Sequence, residues 1–183
     1  EAVLEAAGRF DAVWCLGDLV GYGPDPNECV ERIRSLEQLT CILGNHDLAV
    51  LKWIDSYNFN PDARNTIQWT RSVLSESSYT FLRGLQEKIV VGDVTLCHGS
   101  PRHPIWEYLL DPITAASNFQ YFDTPYCFVG HTHYPTIFAM NDHSQNAVLT
   151  VPEPFNTIQL SNRIILNPGS VGQPRDRDPR TSY

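Results

Sequence analysis

The 183-residue sequence has no cysteines in a CxxC arrangement and no apolar run near the roughly 20 residues of a membrane helix. It is also short of positive charge, with 13 Lys and Arg against 21 Asp and Glu for a formal net charge of −8. The first absence speaks against a thiolate metal site or a redox pair, and the second against a helical membrane anchor. The third speaks against a broad nucleic-acid-binding face, which needs clustered basic residues. The five cysteines are Cys15, Cys29, Cys41, Cys97 and Cys127, and all but Cys29 lie in apolar runs. They are expected to be buried, reduced thiols rather than bridges. With no signal-peptide pattern visible, that use of cysteine predicts a cytoplasmic protein. No internal repeat, low-complexity stretch or linker interrupts the chain, so residues 1–183 are expected to form a single domain.

At 42% apolar and 19% charged, the chain has enough apolar material for a packed core. Residues 1–8 have helical composition and stop at Gly8. "DAVWCLG" (11–17) is a short apolar run of the kind found in a strand buried on both faces. "NECVERIRSL" (27–36) has helical spacing with Asn27 as its cap, and "TCILG" (40–44) is again strand then glycine. Helices are predicted over 61–74, opening on Pro61, and over 78–86. Residues 87–99 have a hairpin pattern turning at Gly92–Asp93. Strands are predicted for "YCFVG" (126–130), "TIFAM" (136–140), "AVLTV" (147–151), "TIQL" (157–160) and "RIILN" (163–167), with His143 in a hairpin turn. Residues 172–183 are polar and proline-broken, as in a surface tail. Strand and helix alternate early and strands dominate late, which predicts an α/β protein with two sheets.

Four apolar runs end alike: Leu16-Gly17-Asp18, Leu43-Gly44-Asn45-His46-Asp47, Cys97-His98-Gly99 and Gly130-His131-Thr132-His133. Ligands of open α/β sheets sit beyond the carboxyl ends of the strands, so four such loops can share one crevice. They deliver oxygen and imidazole donors and keep the cysteines inside. That donor set suits Mn, Fe, Co, Ni or Zn better than a thiolate zinc site. Alone, Asp18 is an ordinary cap, Asn45 an ordinary turn residue and His98 an ordinary core histidine. The His131-x-His133 pair is stronger, because residues i and i+2 of an extended segment face the same side.

"GDLVGYGP", "GNHD", "CHGSP" and "GHTH", in this order, resemble the calcineurin-like metallophosphoesterases, and "NPGSVGQPR" (167–175) resembles the closing loop of small bacterial phosphodiesterase-like members. The resemblance implies a four-layer αββα sandwich with two mixed sheets flanked by helices. It also implies two divalent metal ions, manganese favoured, spaced about 3.5–4 Å apart. Asp18 would bridge them, Asn45, His98 and His131 would complete one ion, and His133 would bind the other. His46 would donate a hydrogen bond to the transition state and serve as general acid, with Asn45 beside it at the substrate. The implied reaction is hydrolysis of a phosphate ester by in-line attack of a metal-activated water, with no covalent intermediate.

The sequence departs from the family pattern in two places. The family opens on a strand ending in Asp-x-His, whereas the only aspartate before Asp18 is Asp11, with no histidine. The expectation is that this first core strand is missing and that the domain is N-terminally incomplete. The second departure is Tyr22, where diadenosine tetraphosphatases and Ser/Thr protein phosphatases carry an arginine. A tyrosine cannot clamp phosphate bidentately, which favours a phosphodiesterase or broad phosphoesterase over those two classes. Arg102 and Arg175 are candidates to supply positive charge to the substrate, and they read equally well as loop arginines. His103 is assigned to a solvated loop, and Tyr22 and Trp106 to the pocket wall or the core. The alternative function is a catalytically degraded scaffold of the same fold that docks proteins. A metallo-β-lactamase-type hydrolase would need an HxHxDH cluster, which the sequence lacks. No membrane partner is expected, and the oligomeric state is left open.

Overall fold

The computed structural model describes residues 1–141, 146–160 and 163–183, so the turn assigned to His143 lies outside the described residues. In chain order the elements begin with α1 (Ala2–Ala7), which ends at Gly8 as expected, followed by β1 (Val13–Cys15), α2 (Pro26–Arg34) and β2 (Leu39–Cys41). Next come α3 (Asn45–Val50), α4 (Pro61–Val73), α5 (Glu76–Arg83), β3 (Lys88–Val91) and β4 (Val94–Cys97). The chain continues through α6 (Pro112–Asn118), a 3-10 turn (Phe119–Tyr121), β5 (Tyr126–Phe128), β6 (Thr136–Asn141), β7 (Asn146–Thr150) and β8 (Ile164–Asn167). This is a mixed α/β fold with two sheets flanked by helices. Among the described residues no helix is long and apolar enough to cross a membrane.

The chain divides into two compact units, residues 10–87 and residues 1–9 with 88–183. In the first, β1 and β2 run parallel, pairing Val13 with Leu39 and Cys15 with Cys41. The helices contribute Val30, Leu48, Ile67 and Leu82 to the core of this unit. The expected double-sided burial of β1 is not found: its ends are half-buried and Trp14 is 37% exposed. Among the described residues its one strand neighbour is β2, which covers one edge and neither face. Asn27 is not the cap of α2 either. Pro26 sets the first turn, which moves the cap position to Asp25. The Asn27 side chain instead donates to the Val73 carbonyl at 2.9 Å and accepts from the Ser75 amide at 2.8 Å, tying α2 to the α4–α5 junction. The α5 helix starts earlier than expected because the Ser75 hydroxyl caps it by accepting from the Ser78 amide.

In the second unit a six-stranded sheet has the order β3-β4-β5-β8-β6-β7. The β3–β4 hairpin is antiparallel, as expected, while β4, β5 and β8 run parallel. β8 then pairs antiparallel with β6, and β6 with β7. The apolar core gathers Leu109, Ala115, Phe119, Phe122, Cys127, Phe138 and Ile165. Ala115 and Phe119 come from α6 and the 3-10 turn, which the sequence reading did not anticipate. The Asp111 carboxylate caps α6 by accepting from the amides of Ile113 and Thr114, and Pro112 fills the first helical position. Residues 157–160 form no strand; Ile158 stays exposed, so the run has no buried face to hold it in a sheet. The C-terminal segment folds back, with the Ser182 amide donating to the Ser170 carbonyl at 3.0 Å.

All five cysteines are free thiols. Cys41, Cys97 and Cys127 are buried, Cys15 is half-buried and Cys29 is exposed. Burial pushes the Cys127 thiol up, as does its contact with the Cys97 sulfur at 3.8 Å. Such thiols stay protonated and unreactive.

Candidate metal centre

Each unit presents its polar residues at the carboxyl ends of its parallel strands. In residues 10–87, Asp18 follows β1, while Asn45 and His46 follow β2 as the first residues of α3. The turn is possible because two glycines bring the loops together. A Cβ on Gly17, whose φ is +91°, would lie 2.7 Å from the Leu43 carbonyl carbon, and one on Gly44 would lie 2.7 Å from Asp18 Cγ. No side chain fits in either gap.

Asp47 holds this corner. Its buried carboxylate accepts from the amides of Asp18 (2.8 Å), Gly44 (2.9 Å) and Val20 (3.1 Å). Asp18 Oδ1 in turn accepts from the His46 amide at 2.9 Å. Asn45 and His46 are both buried. The His46 ring is stacked on Tyr22, with centroids 4.0 Å apart at 27°, and meets the edge of Phe59 at 4.9 Å and 88°. Tyr22 therefore spends a face on His46, and Phe59 was not picked out from sequence at all.

In residues 88–183, His98 directly follows β4, and His131 and His133 follow β5. All three are buried, His98 to 2% exposure. His98 Nε2 and His131 Nδ1 face each other at 3.1 Å. His131 and His133 both have φ of +62°, as Asp18 has φ of +56°. The segment is thus not extended, and the alternation expected to aim both rings to one side does not apply. Left-handed backbone at non-glycine residues costs energy and persists only where surrounding contacts fix it. Here Asn167, buried at the end of β8, supplies those contacts: its amide donates to the Gly130 carbonyl at 2.5 Å and to Thr132 Oγ1 at 2.9 Å. The Gln173 carbonyl lies 2.7 Å from His133 Nδ1. A proton on Nδ1 donates to it and leaves the Nε2 lone pair to coordinate.

The loop after His98 closes on itself. The Gly99 amide donates to the Pro104 carbonyl at 2.5 Å, and a Cβ on Gly99 would lie 2.9 Å from the His103 carbonyl. Glu107 is the hub: it accepts from Ser100 Oγ at 2.7 Å and Asn118 Nδ2 at 2.8 Å and pairs with Arg102. Burial alone would raise the Glu107 pKa, but the hydrogen bonds from Arg102, Asn118 and Ser100 outweigh it and hold the carboxyl below its ordinary value. The next residue, Tyr108, stacks on the His131 ring, centroids 4.0 Å apart at 20°. Arg102 is thus engaged with Glu107, whereas Arg175 is exposed and donates to the Gln173 side chain at 2.9 Å. His103 and Trp106 are exposed.

The residues fit a divalent ion. Two imidazole nitrogens 3.1 Å apart, each at about 2.0–2.1 Å from one ion, subtend roughly 100°, between tetrahedral and octahedral angles. Oxygen and imidazole donors of this kind suit a borderline or moderately hard cation.

A mixed α/β fold with this donor set at its strand ends is that of a metal-dependent phosphoric ester hydrolase. The description "calcineurin-like phosphoesterase superfamily domain" belongs to the family model matching residues 1–183, and the chain is a member of that superfamily. It is similar to a solved metallophosphoesterase from Sphaerobacter thermophilus, with 47% identity and a TM-score of 0.87, over 98% of this chain and 74% of that one. It is also 40% identical over 176 residues to an uncharacterized protein of Methanocaldococcus jannaschii, covering 93% of this chain and 69% of the relative. A shorter match, 32% identical over 76 residues, joins it to the symmetrical bis(5'-nucleosyl)-tetraphosphatase of Buchnera aphidicola. That match covers 34% of this chain and 28% of the relative's length.

Proposed function

We propose that the chain is a phosphodiesterase with a dinuclear metal site, acting in the cytoplasm, with residues 1–183 as a single functional domain. Asp18, Asn45, His98, His131 and His133 are the residues that would hold the two ions, with Asp18 shared between them. When bound, such ions neutralise phosphoryl oxygens and make a water acidic enough to attack phosphorus in line at neutral pH. Manganese is the favoured metal. Asn45 and His46 bind the phosphate, and His46 protonates the leaving oxygen. Arg175 supplies positive charge to the substrate. Arg102 does so only by giving up part of its pair with Glu107.

The observation that carries this reading is the pair of buried ring nitrogens, His98 Nε2 and His131 Nδ1, facing each other at 3.1 Å. Buried imidazoles turned nitrogen to nitrogen are what a shared cation requires. Tyr22, standing where an arginine would clamp a phosphate, supports a diester substrate over a dinucleoside tetraphosphate or a phosphoprotein. Metal analysis of the full chain, with hydrolysis of bis(p-nitrophenyl) phosphate, tests it. Bound manganese and turnover are expected in the wild type, with both lost in His98→Ala and His131→Ala. A chain that binds no metal and hydrolyses no ester would instead be a protein-docking scaffold.

A further inference from the structure

We propose that Tyr108 is a stacking platform that selects phosphate esters bearing a planar group, an aryl ring or a nucleobase. The proposal rests on the phosphoesterase reading above and names a substrate class for the same site.

Tyr108 both stacks on a candidate ligand histidine and reaches solvent. Its ring lies on that of His131, with centroids 4.0 Å apart and planes 20° from parallel. The residue is nonetheless 49% exposed, although its neighbour Leu109 is buried in the core. A tyrosine needed only as core packing would be covered. This one is held beside a candidate ligand histidine with much of its ring surface open to water.

The ring is also held firmly. Leu109 anchors the chain on one side, and on the other Glu107 is fixed by Ser100, Asn118 and Arg102. A platform fixed before binding loses little conformational freedom when a ligand stacks on it. Stacking on an aromatic side chain also tolerates any planar group, because each presents a π face. A phosphate bound at an ion that His131 helps to hold would bring its ester substituent near the Tyr108 ring. A flat substituent gains the stacking contact, and an aliphatic one does not.

Equilibrium binding to the manganese-loaded full chain tests this, with adenosine 5'-monophosphate and ribose 5-phosphate as probes that differ only in the base. The wild type is expected to prefer the nucleotide by roughly 5- to 100-fold. That ratio should persist in Tyr108→Phe and fall toward one in Tyr108→Leu, which keeps an apolar cover over His131. The ratio cancels any loss of metal or phosphate affinity common to both probes. Equal affinity in the wild type, or an unchanged ratio in Tyr108→Leu, overturns the platform and leaves the phosphoesterase reading standing. If neither probe binds the metal-loaded protein, the platform is overturned, and hydrolysis of bis(p-nitrophenyl) phosphate separately decides the phosphoesterase reading.

Discussion

The carboxylate of Asp47 holds the backbone of Asp18: Asp47 Oδ2 accepts the Asp18 amide at 2.8 Å, and Asp18 Oδ1 accepts the amide of His46, one residue before Asp47, at 2.9 Å. Two acids 29 residues apart thus lock two strand-end loops reciprocally. The lock fixes the Asp18 backbone and joins it to the start of α3.

Replacing Asp47 with alanine strands three amides, those of Asp18, Val20 and Gly44. Each unsatisfied buried donor costs about 1–3 kcal/mol, so Asp47→Ala should lose about 3 kcal/mol or more in urea denaturation. Asp47→Asn keeps one acceptor oxygen and should lose less. Both variants should also bind manganese more weakly in a calorimetric titration.

Asn167 acts on the loop carrying His131 and His133 without being a proposed ligand. Removing a group that orients metal ligands typically weakens metal affinity about 10- to 100-fold. Asn167→Ala is expected to show that loss in a competition titration against a metal chelator, with far-ultraviolet circular dichroism close to the wild type.

As the proposed general acid, His46 should separate chemistry from metal binding. Its amide donates to Asp18 Oδ1, a contact that His46→Gln retains, so this variant should keep the metal content of the wild type. Loss of a general acid costs about 10²- to 10⁴-fold in rate. Turnover of the diester should fall within that range, and a leaving group of low pKa should lessen the defect because it needs no proton.

Glu107 sets an acid limit on the 98–108 loop. Its folded pKa lies below the ordinary 4.5, so the unfolded chain takes up the proton first as the pH falls. The stabilisation is therefore full above that value and is lost as the pH drops through the lower, folded pKa. Wild-type stability in urea should fall below about pH 4.5, and Glu107→Gln should show a flatter acid limb with lower stability at pH 7.

Much of the candidate site could be read from the chain because its residues follow short apolar runs and glycines. Asp18, Asn45, His98 and His131 each stand at the carboxyl end of a parallel strand, where that pattern put them. The residues that orient them were not legible. Asp47, Asn167 and the Gln173 carbonyl act through hydrogen bonds across long sequence separations, and Glu107 acts inside a closed loop with no periodic signature. The left-handed backbone at His131 and His133 also escaped notice, because neither is a glycine. In the fold, α6 was missed although Asp111-Pro112 is a usable start signal, and residues 157–160 were over-read from a short alternation. The same local rule served well for the β3–β4 hairpin, where Gly92 and Asp93 form the turn.

The left-handed φ angles at Asp18, His131 and His133 restrict what mutational drift can do to these three codons. A β-branched replacement there meets steric strain in the main chain whether or not an ion is ever bound, whereas glycine, asparagine, aspartate and histidine tolerate the conformation. Selection for folding alone would then keep the alphabet at these sites close to the one coordination uses. A lineage that abandoned catalysis would be expected to retain small polar residues or glycine at these positions long after the need for a cation had gone.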